Sequence, residues 1–452
     1  MTSDTTADNG GDKRLVAVKR VLRQAADHIN ADFGIRLWDG DVIALGPNAR
    51  TDLLVALNSP AVVSRLIRRP RLATLIDLAA AGDVDIVGGT LLDLAARRGG
   101  GTKGIWKKIS KFSLARALWP FLFSAKADAA ATPLRSEAYQ GQQIDKDAGG
   151  RDNKALVQFH YDLSNAFYQL FLDPEMQYSC GYFPTWGSSL EDAQRAKLDM
   201  ICRKLRLKPG ERFLDIGCGW GGLVCHAAQH YGVEAHGVTL SEAQLAFTRE
   251  KIARLGLEGR VHVELRDYRE VTGTFDKIAS IGMFEHVGLD NHAAYFTKLR
   301  ELLKPRGILL NHAITRPAKK SARAFRRKRP EYAAIVNYIF PGSELDHIGG
   351  SVSSLERHGF EIHDVEAWRE HYALTTRRWC ERLYAAREAA IREVGDAKTR
   401  LWLLYLAGVS LGFERGTIGI FQTVATRRAR GLSGLPPTRA DLYADGDVTG
   451  QR

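Results

Sequence analysis

Leu15, Val18, Leu22, Ala25, Ala26 and Ile29 recur at the three- and four-residue spacing of a helix with one apolar face. The period then changes. Residues 35–43 alternate apolar and polar around Asp39-Gly40, a dipeptide suited to the backbone of a tight hairpin turn, and predict two short antiparallel strands. Two further helical patterns follow at 61–68 and 72–81, with Pro70 between them. Residues 14 to about 96 therefore read as a small α+β unit. From 153 to 429 strand and helix patterns alternate, with strands expected at 212–216, 234–238, 261–265, 277–281, 308–312, 360–365 and 418–425. That alternation predicts an α/β doubly wound sheet, in which ligands bind beyond the carboxyl ends of the strands. Gly217, Thr239, Asp267, Tyr268, Glu285 and His312 all fall at such ends.

Between the two patterned regions the composition shifts. Residues 97–126 hold eight basic residues and no acid, interleaved with Trp106, Phe112, Trp119, Phe121 and Phe123. Lysines drawn to anionic headgroups and rings placed at the polar–apolar boundary suit a membrane-interface segment. A solvated basic linker whose rings pack on their own domain is the competing reading. Residues 127–153, with the run Ala129-Ala130-Ala131, Pro133 and Gly149-Gly150, read as a linker. The organisation expected is an N-terminal domain over 14–126, the linker 127–153, a catalytic domain over 154–429 and a flexible tail over 430–452.

The 452 residues carry 64 Lys and Arg against 52 Asp and Glu, a net charge of +12 that favours an anionic partner. Nothing in the chain matches a nucleic-acid module, so a phospholipid surface is the expected partner and nucleic acid is not. No apolar run reaches the ~18 residues of a membrane span, and the polar N-terminus lacks a secretory pattern, so a cytoplasmic protein touching membranes peripherally is expected. Five cysteines without a C-x-x-C pair argue against a disulfide framework and a zinc cage, and no metal is expected.

The chemistry is concentrated at Asp215-Ile216-Gly217-Cys218-Gly219-Trp220-Gly221-Gly222, directly after a strand. Glycines let backbone approach a ligand, and the N–H groups opening the next helix attract polar groups. A dinucleotide site needs an acid at the end of the following strand; here Thr239-Leu240-Ser241 stands there, which disfavours NAD and FAD. The glycine spacing resembles the first motif of class I S-adenosylmethionine-dependent methyltransferases.

Further strings extend the resemblance: His160-Tyr161-Asp162-Leu163-Ser164-Asn165, Gln177-Tyr178-Ser179-Cys180-Gly181-Tyr182-Phe183, Gly282-Met283-Phe284-Glu285-His286-Val287-Gly288, Tyr338-Ile339-Phe340-Pro341-Gly342 and His371-Tyr372. From about residue 160 to 422 the chain resembles the cyclopropane-fatty-acyl-phospholipid synthase family, which includes the mycolic acid cyclopropane synthases. The front domain is similar, more weakly, to the sterol-carrier-like lipid-binding domain of the phospholipid-acting members. The resemblance implies methyl transfer from S-adenosylmethionine to a cis double bond of an unsaturated phospholipid acyl chain, with bound bicarbonate removing the proton as the ring closes. It places Cys180, Glu285, His312, Ile314 (through its backbone) and Tyr372 around that anion. Tyr178, Ser179, Gly217, Gly219, Thr239, Leu240, Gln244, Tyr268, Arg269 and Ile281 fall on cofactor-contact positions. Homodimers occur in this family.

The residue types suit that chemistry. A carbocation beside water is captured as an alcohol, so the lining must exclude water. Aromatic faces stabilise cations, and Tyr182, Phe183 and Phe284 are expected in the lining. Burial of Glu285 beside an anion should raise its pKa or force a hydrogen-bonded pairing. Two departures from the family stand out: Val409, where some members carry a cysteine, and the loop 342–349 after Pro341. Residues 316–329, with eight basic residues and no acid, form a candidate headgroup-facing segment. Methyl transfer without ring closure and a non-catalytic lipid-binding role remain as alternatives, with a small-molecule or nucleic-acid methyltransferase a weaker one.

Overall fold

The computed structural model describes residues 9–98, 119, 121, 163–327 and 330–443, without the side chains of 9–13 and 27. The expected linker and the string at 160–162 lie outside these residues. The chain divides into two compact units.

The first unit comprises residues 1–135, 329–334 and 387–408. Its sheet has the order β2-β1-β3-β4. The expected hairpin is present: β1 (Gly34–Arg36) and β2 (Val42–Ala44) pair antiparallel, and Gly40 at φ +91° makes the turn. The helices Asn9–Ile29, Ala61–Arg68 and Leu72–Ala80 match the helical patterns. The hydrophobic pattern missed β3 (Leu54–Leu57), β4 (Val84–Val87) and the helix Leu91–Ala96. That last helix is announced by a capping arrangement, in which Thr90 Oγ1 accepts the Leu92 N–H at 3.2 Å and Asp93 Oδ2 accepts the Thr90 N–H at 2.7 Å. Val18, Leu37, Ile43 and Phe121 form one core and Val62, Leu78, Ala79 and Val84 another, with Leu404 packed on the second.

Of the basic aromatic segment, Arg97 pairs with Asp52 and Phe121 is fully buried, whereas Trp119 is 61% exposed. Residues 387–408, expected with the catalytic domain, group with the first unit. Leu404 packs there, and Arg400 reaches Asp85 at 3.0 Å. The division falls inside the helix Asp396–Glu414.

The second unit carries seven strands at or within a few residues of the expected positions: β5 (Arg212–Ile216), β6 (Glu234–Thr239), β7 (Val261–Leu265), β8 (Phe275–Ile281), β9 (Leu303–Thr315), β10 (Phe360–Ala367) and β11 (Gly419–Arg427). The order is β10-β11-β9-β8-β5-β6-β7. Strands β5 to β9 pair parallel, and β11 runs antiparallel to both β9 and β10. The central strands are largely buried on both faces, as parallel strands between helical layers must be. One core packs Phe213, Val224, Ala235 and Leu310 on one side of the sheet, and another packs Leu214, Ile278, Phe296 and Leu309 on the other. The stretch after Gly431, expected to be flexible, is anchored as far as Tyr443. Leu442 is buried, Arg439 pairs with Asp364, and Arg206 with Asp441.

Candidate active site

The glycine turn does what its composition implies. Gly217, Gly219 and Gly221 all have positive φ, at +82°, +54° and +76°. Gly217 and Cys218 donate their N–H groups to Val238 O on the neighbouring strand, at 3.0 Å each. Gly221 then opens the helix Gly222–Tyr231 from a left-handed cap with no side chain bonded to the helix end. A Cβ on Gly221 would stand 2.3 Å from Thr248 Cγ2, whereas one on Gly219 would meet nothing within 4 Å. Gly221 is therefore required by packing. Gly219 leaves a space over the backbone that a ligand can fill.

At the end of β6 the groups are neutral: Thr239 Oγ1 donates to Gln244 Oε1 at 2.7 Å, both side chains buried. This leaves the Gln244 amide nitrogen as a donor where a dinucleotide site has a carboxylate. Leu240 follows, half-buried. Beyond β7, Asp267 caps the turn Tyr268–Glu270 and holds Arg269 in a two-pronged ion pair at 3.0 and 2.8 Å. Tyr268 is buried edge-on to Tyr295. Tyr178 lies against Tyr168 and Trp379, and Ser179 Oγ accepts from Lys197 at 3.0 Å.

Lys197 is fully buried, and its ammonium also donates to Gln177 Oε1. Burial pulls its pKa down to about 8, against the attraction of Asp173, Cys180 and Asp215. Asp215, first residue of the glycine string, is pushed up to about 7 by burial, with Lys197 opposing, and its Oδ1 has no hydrogen-bond partner. Positions expected to contact the cofactor thus rest on a buried polar group that local sequence reading did not single out. The signal was present: in the helix Leu190–Leu205, Lys197 and Lys204 lie on the apolar face with Ala193, Leu198, Ile201 and Leu205.

The residues expected around an anion are brought together by Trp368 and β9. Trp368 is fully buried; its ring meets His312 edge-on at 5.1 Å. The Trp368 carbonyl accepts the Tyr372 N–H at 3.0 Å and lies 3.8 Å from Cys180 Sγ. Glu285, in the short turn after β8, joins β9 through Oε1, which accepts the Ile314 N–H at 2.6 Å. Ile314, expected to reach the anion through its backbone, directs that N–H to Glu285 and so positions the carboxyl. Ile281 stands opposite His312 in the β8–β9 register.

Burial sets the protonation of these groups. Burial raises Glu285 to about 7, with the Ile314 N–H opposing. Burial, then the charges of Lys197 and Lys204, hold His312 well below its usual pKa, so the imidazole is uncharged. Burial likewise keeps the Cys180 thiol protonated, which makes it a packing group and weak donor and not a nucleophile. Glu285 Oε2 and His312 Nε2 are buried without a hydrogen-bond partner, as is Trp368 Nε1. Unpaired buried groups of this kind are costly and mark where a polar ligand fits. Aromatic rings gather around Trp368, which meets His312: Tyr182 packs on Trp368 and His371, and Phe183 stacks on His371, while Tyr372 lies on Phe413. Phe284 is an exception to the expected lining, since it stacks on His292 at 4.0 Å inside the core.

The seven-stranded sheet with its glycine turn and neutral β6 end defines a class I S-adenosylmethionine-dependent methyltransferase. Residues 150–423 match the mycolic acid cyclopropane synthetase family, and the chain belongs to that family. A probable fatty acid methyltransferase of Pseudomonas putida is 35% identical over 431 residues, covering 93% of this chain and 99% of the relative. The cyclopropane-fatty-acyl-phospholipid synthase of Escherichia coli K12 is 40% identical over 268 residues, 59% of this chain and 66% of the relative. Among solved structures, the cyclopropane synthase MmaA2 from Mycobacterium tuberculosis is similar with 33% identity and a TM-score of 0.58, covering 62% of this chain and 99% of that one. Mycolic acid cyclopropane synthase CmaA1, complexed with SAH and CTAB, is similar with 34% identity and a TM-score of 0.58, over 60% of this chain and 98% of that one. The chain is an enzyme that transfers a one-carbon unit from S-adenosylmethionine to a lipid.

Proposed function

We propose that the enzyme converts the cis double bond of unsaturated phospholipid acyl chains into a cyclopropane ring, with bicarbonate held as the base. S-adenosylmethionine would supply the methyl carbon, and bicarbonate would supply a small base. The observation that carries the reading is the pair of partnerless buried atoms, Glu285 Oε2 and His312 Nε2, on groups held at neighbouring steps of β9. One accepts or donates according to its protonation and the other belongs to an uncharged imidazole, so together they can grip both an O–H and an oxyanion oxygen. Gly217, Gly219, Thr239 and Gln244 would hold the cofactor with backbone and neutral groups. Tyr182, Trp368 and Tyr372 would exclude water and present ring faces to positive charge.

Two observations support a membrane-borne substrate. Lys319, Lys320, Arg323, Arg326 and Arg327 are exposed within nine residues, immediately after the strand that carries His312 and Ile314. Trp119 is also exposed. Cations in such numbers suit the anionic face of a phospholipid bilayer, and no helix among the described residues is long and apolar enough to cross one.

A second reading, methyl transfer that ends in a methyl- or methylene-branched chain, is favoured by the Pseudomonas putida relative named a probable fatty acid methyltransferase, which matches over 93% of this chain. Incubation with vesicles of cis-unsaturated phosphatidylglycerol and methyl-labelled S-adenosylmethionine, followed by NMR of the extracted chains, separates the two. A labelled ring methylene supports cyclopropanation. An exocyclic methylene or a methyl branch replaces it with the second reading, and unlabelled chains with bound cofactor leave a lipid-binding protein without turnover.

A further inference from the structure

Glu366, Gln422 and His312 stand in one row across three adjacent strands: Glu366 lies opposite Gln422 in the β10–β11 register, and Gln422 opposite His312 in the β11–β9 register. Residues directly opposite on neighbouring strands share a face, so the three side chains meet on one side of the sheet. Lys204, from the helix Leu190–Leu205, covers the row and is itself fully buried. Its ammonium donates to Glu366 Oε2 and, at 2.7 Å, to Gln422 Oε1. It also lies 5.2 Å from the centre of the Trp368 ring, and the Glu366 carboxylate offsets the effect of burial on its charge.

An ammonium has three donors and no acceptor, so Lys204 fixes which end of the Gln422 amide faces it. The oxygen must point to Lys204, and the nitrogen is left pointing to His312, 3.2 Å from Nδ1. An amide nitrogen donates and cannot accept, so Nδ1 must be the unprotonated nitrogen of the ring. Because the imidazole is neutral, its single proton is then on Nε2, the atom that has no protein partner. We propose that Lys204 and Gln422 are positioning residues that lock His312 as the Nε2–H tautomer, so that the ring offers a hydrogen-bond donor to a small oxyanion beside Glu285. The opposite tautomer would present a lone pair to the same anion and repel it. This inference rests on the bicarbonate reading for the identity of the anion, but the tautomer itself does not.

The test uses the full chain with 15N-labelled histidine, wild type and Gln422→Glu, the His312 resonances being assigned by their loss in His312→Gln. Glutamate keeps the shape and the Lys204 bond but turns an acceptor toward Nδ1, which draws the ring proton there. Wild-type His312 is expected to be protonated on Nε2 in bicarbonate-free buffer, and Gln422→Glu on Nδ1. In CO2-depleted turnover assays the variant should need about tenfold or more bicarbonate for half-saturation, with S-adenosylmethionine affinity by calorimetry unchanged. Lys204→Met, which lets the amide turn, should show a mixture of tautomers, and Lys204→Arg should restore the Nε2–H form. A wild-type ring protonated on Nδ1, or a variant whose tautomer changes without any change in bicarbonate half-saturation, overturns the proposal. If turnover of the wild type is indifferent to bicarbonate while the tautomers behave as stated, the bicarbonate reading falls and the positioning of His312 by Lys204 and Gln422 stands.

Discussion

Glu285 Oε1 accepts the Ile314 N–H at 2.6 Å, and Oε2 of the same carboxyl is buried without a protein partner. The burial that creates this arrangement has a pH signature. The folded pKa of Glu285 is raised from 4.5 to about 7, so between those values the native state binds more protons than the unfolded chain. Its favourable contribution is complete below about pH 4.5 and is lost as pH rises through 7, by on the order of 3 kcal/mol at most. In urea titrations at pH 5 and pH 8, the stability of wild type relative to Glu285→Gln should therefore fall toward the higher pH. A relative stability independent of pH would mean that the carboxyl is solvated. The same variant should retain S-adenosylmethionine and lose turnover about a hundredfold or more.

The glycine turn separates packing from ligand contact. Gly221→Ala forces a Cβ to 2.3 Å from Thr248 Cγ2 at φ +76° and should destabilise the sheet unit severely. Gly219→Ala meets nothing and carries only the left-handed strain of about 1–2 kcal/mol. It should keep most of its thermal stability yet bind S-adenosylmethionine about tenfold more weakly or worse. Calorimetric binding equal to wild type in Gly219→Ala would remove that residue from the cofactor cradle.

Trp368 touches His312, Tyr182 and the Cys180 and Tyr372 segments at once. Trp368→Ala should cost about 3–5 kcal/mol. Trp368→Phe keeps a ring beside His312 and should cost less than half of that in chemical denaturation, while still lowering turnover with little change in cofactor affinity. Equal turnover in the Phe variant would assign Trp368 to the core alone.

The exposed cations at 319–327 predict salt-sensitive docking. Lys319→Glu, Lys320→Glu and Arg323→Glu together should weaken sedimentation with phosphatidylglycerol vesicles by at least about tenfold at low salt, since each basic residue contributes about 1 kcal/mol near an anionic surface. Binding to purely zwitterionic vesicles should hardly change. Undiminished binding of the triple variant to anionic vesicles would place the contact elsewhere.

Much of this architecture is written in local patterns. β5, β8, β9 and β11 contain buried apolar stretches next to glycine or polar turns, and the hairpin at Asp39-Gly40 is a short-range signal. β3 and β4 escaped because four residues are too few to show a period, and Asp85 interrupts the second. The membership of 387–408 in the first unit was hidden for a different reason: it depends on contacts such as Arg400 to Asp85, more than 300 positions apart in the chain. The site divides along the same line. Cys180, Glu285, His312 and Tyr372 came from motif resemblance, whereas Trp368 and Gln422 matter through strand register and tertiary contact, which no local window displays. Lys197 and Lys204 could have been flagged as charges on an apolar helical stripe, but their partners Gln177, Ser179, Gln422 and Glu366 could not.

Strand β11 pairs on one edge with β9 and on the other with β10, both of which precede it in the chain. During translation it is therefore the last strand of the seven to leave the ribosome, and it must slot between two neighbours that are already made. A nascent polypeptide halted before Gln422 has β5 to β8, the glycine turn and Gln244 in hand, but His312 still lacks its amide partner. On the proposed assignment, the growing chain would hold the residues for its methyl donor well before those assigned to the proton are complete.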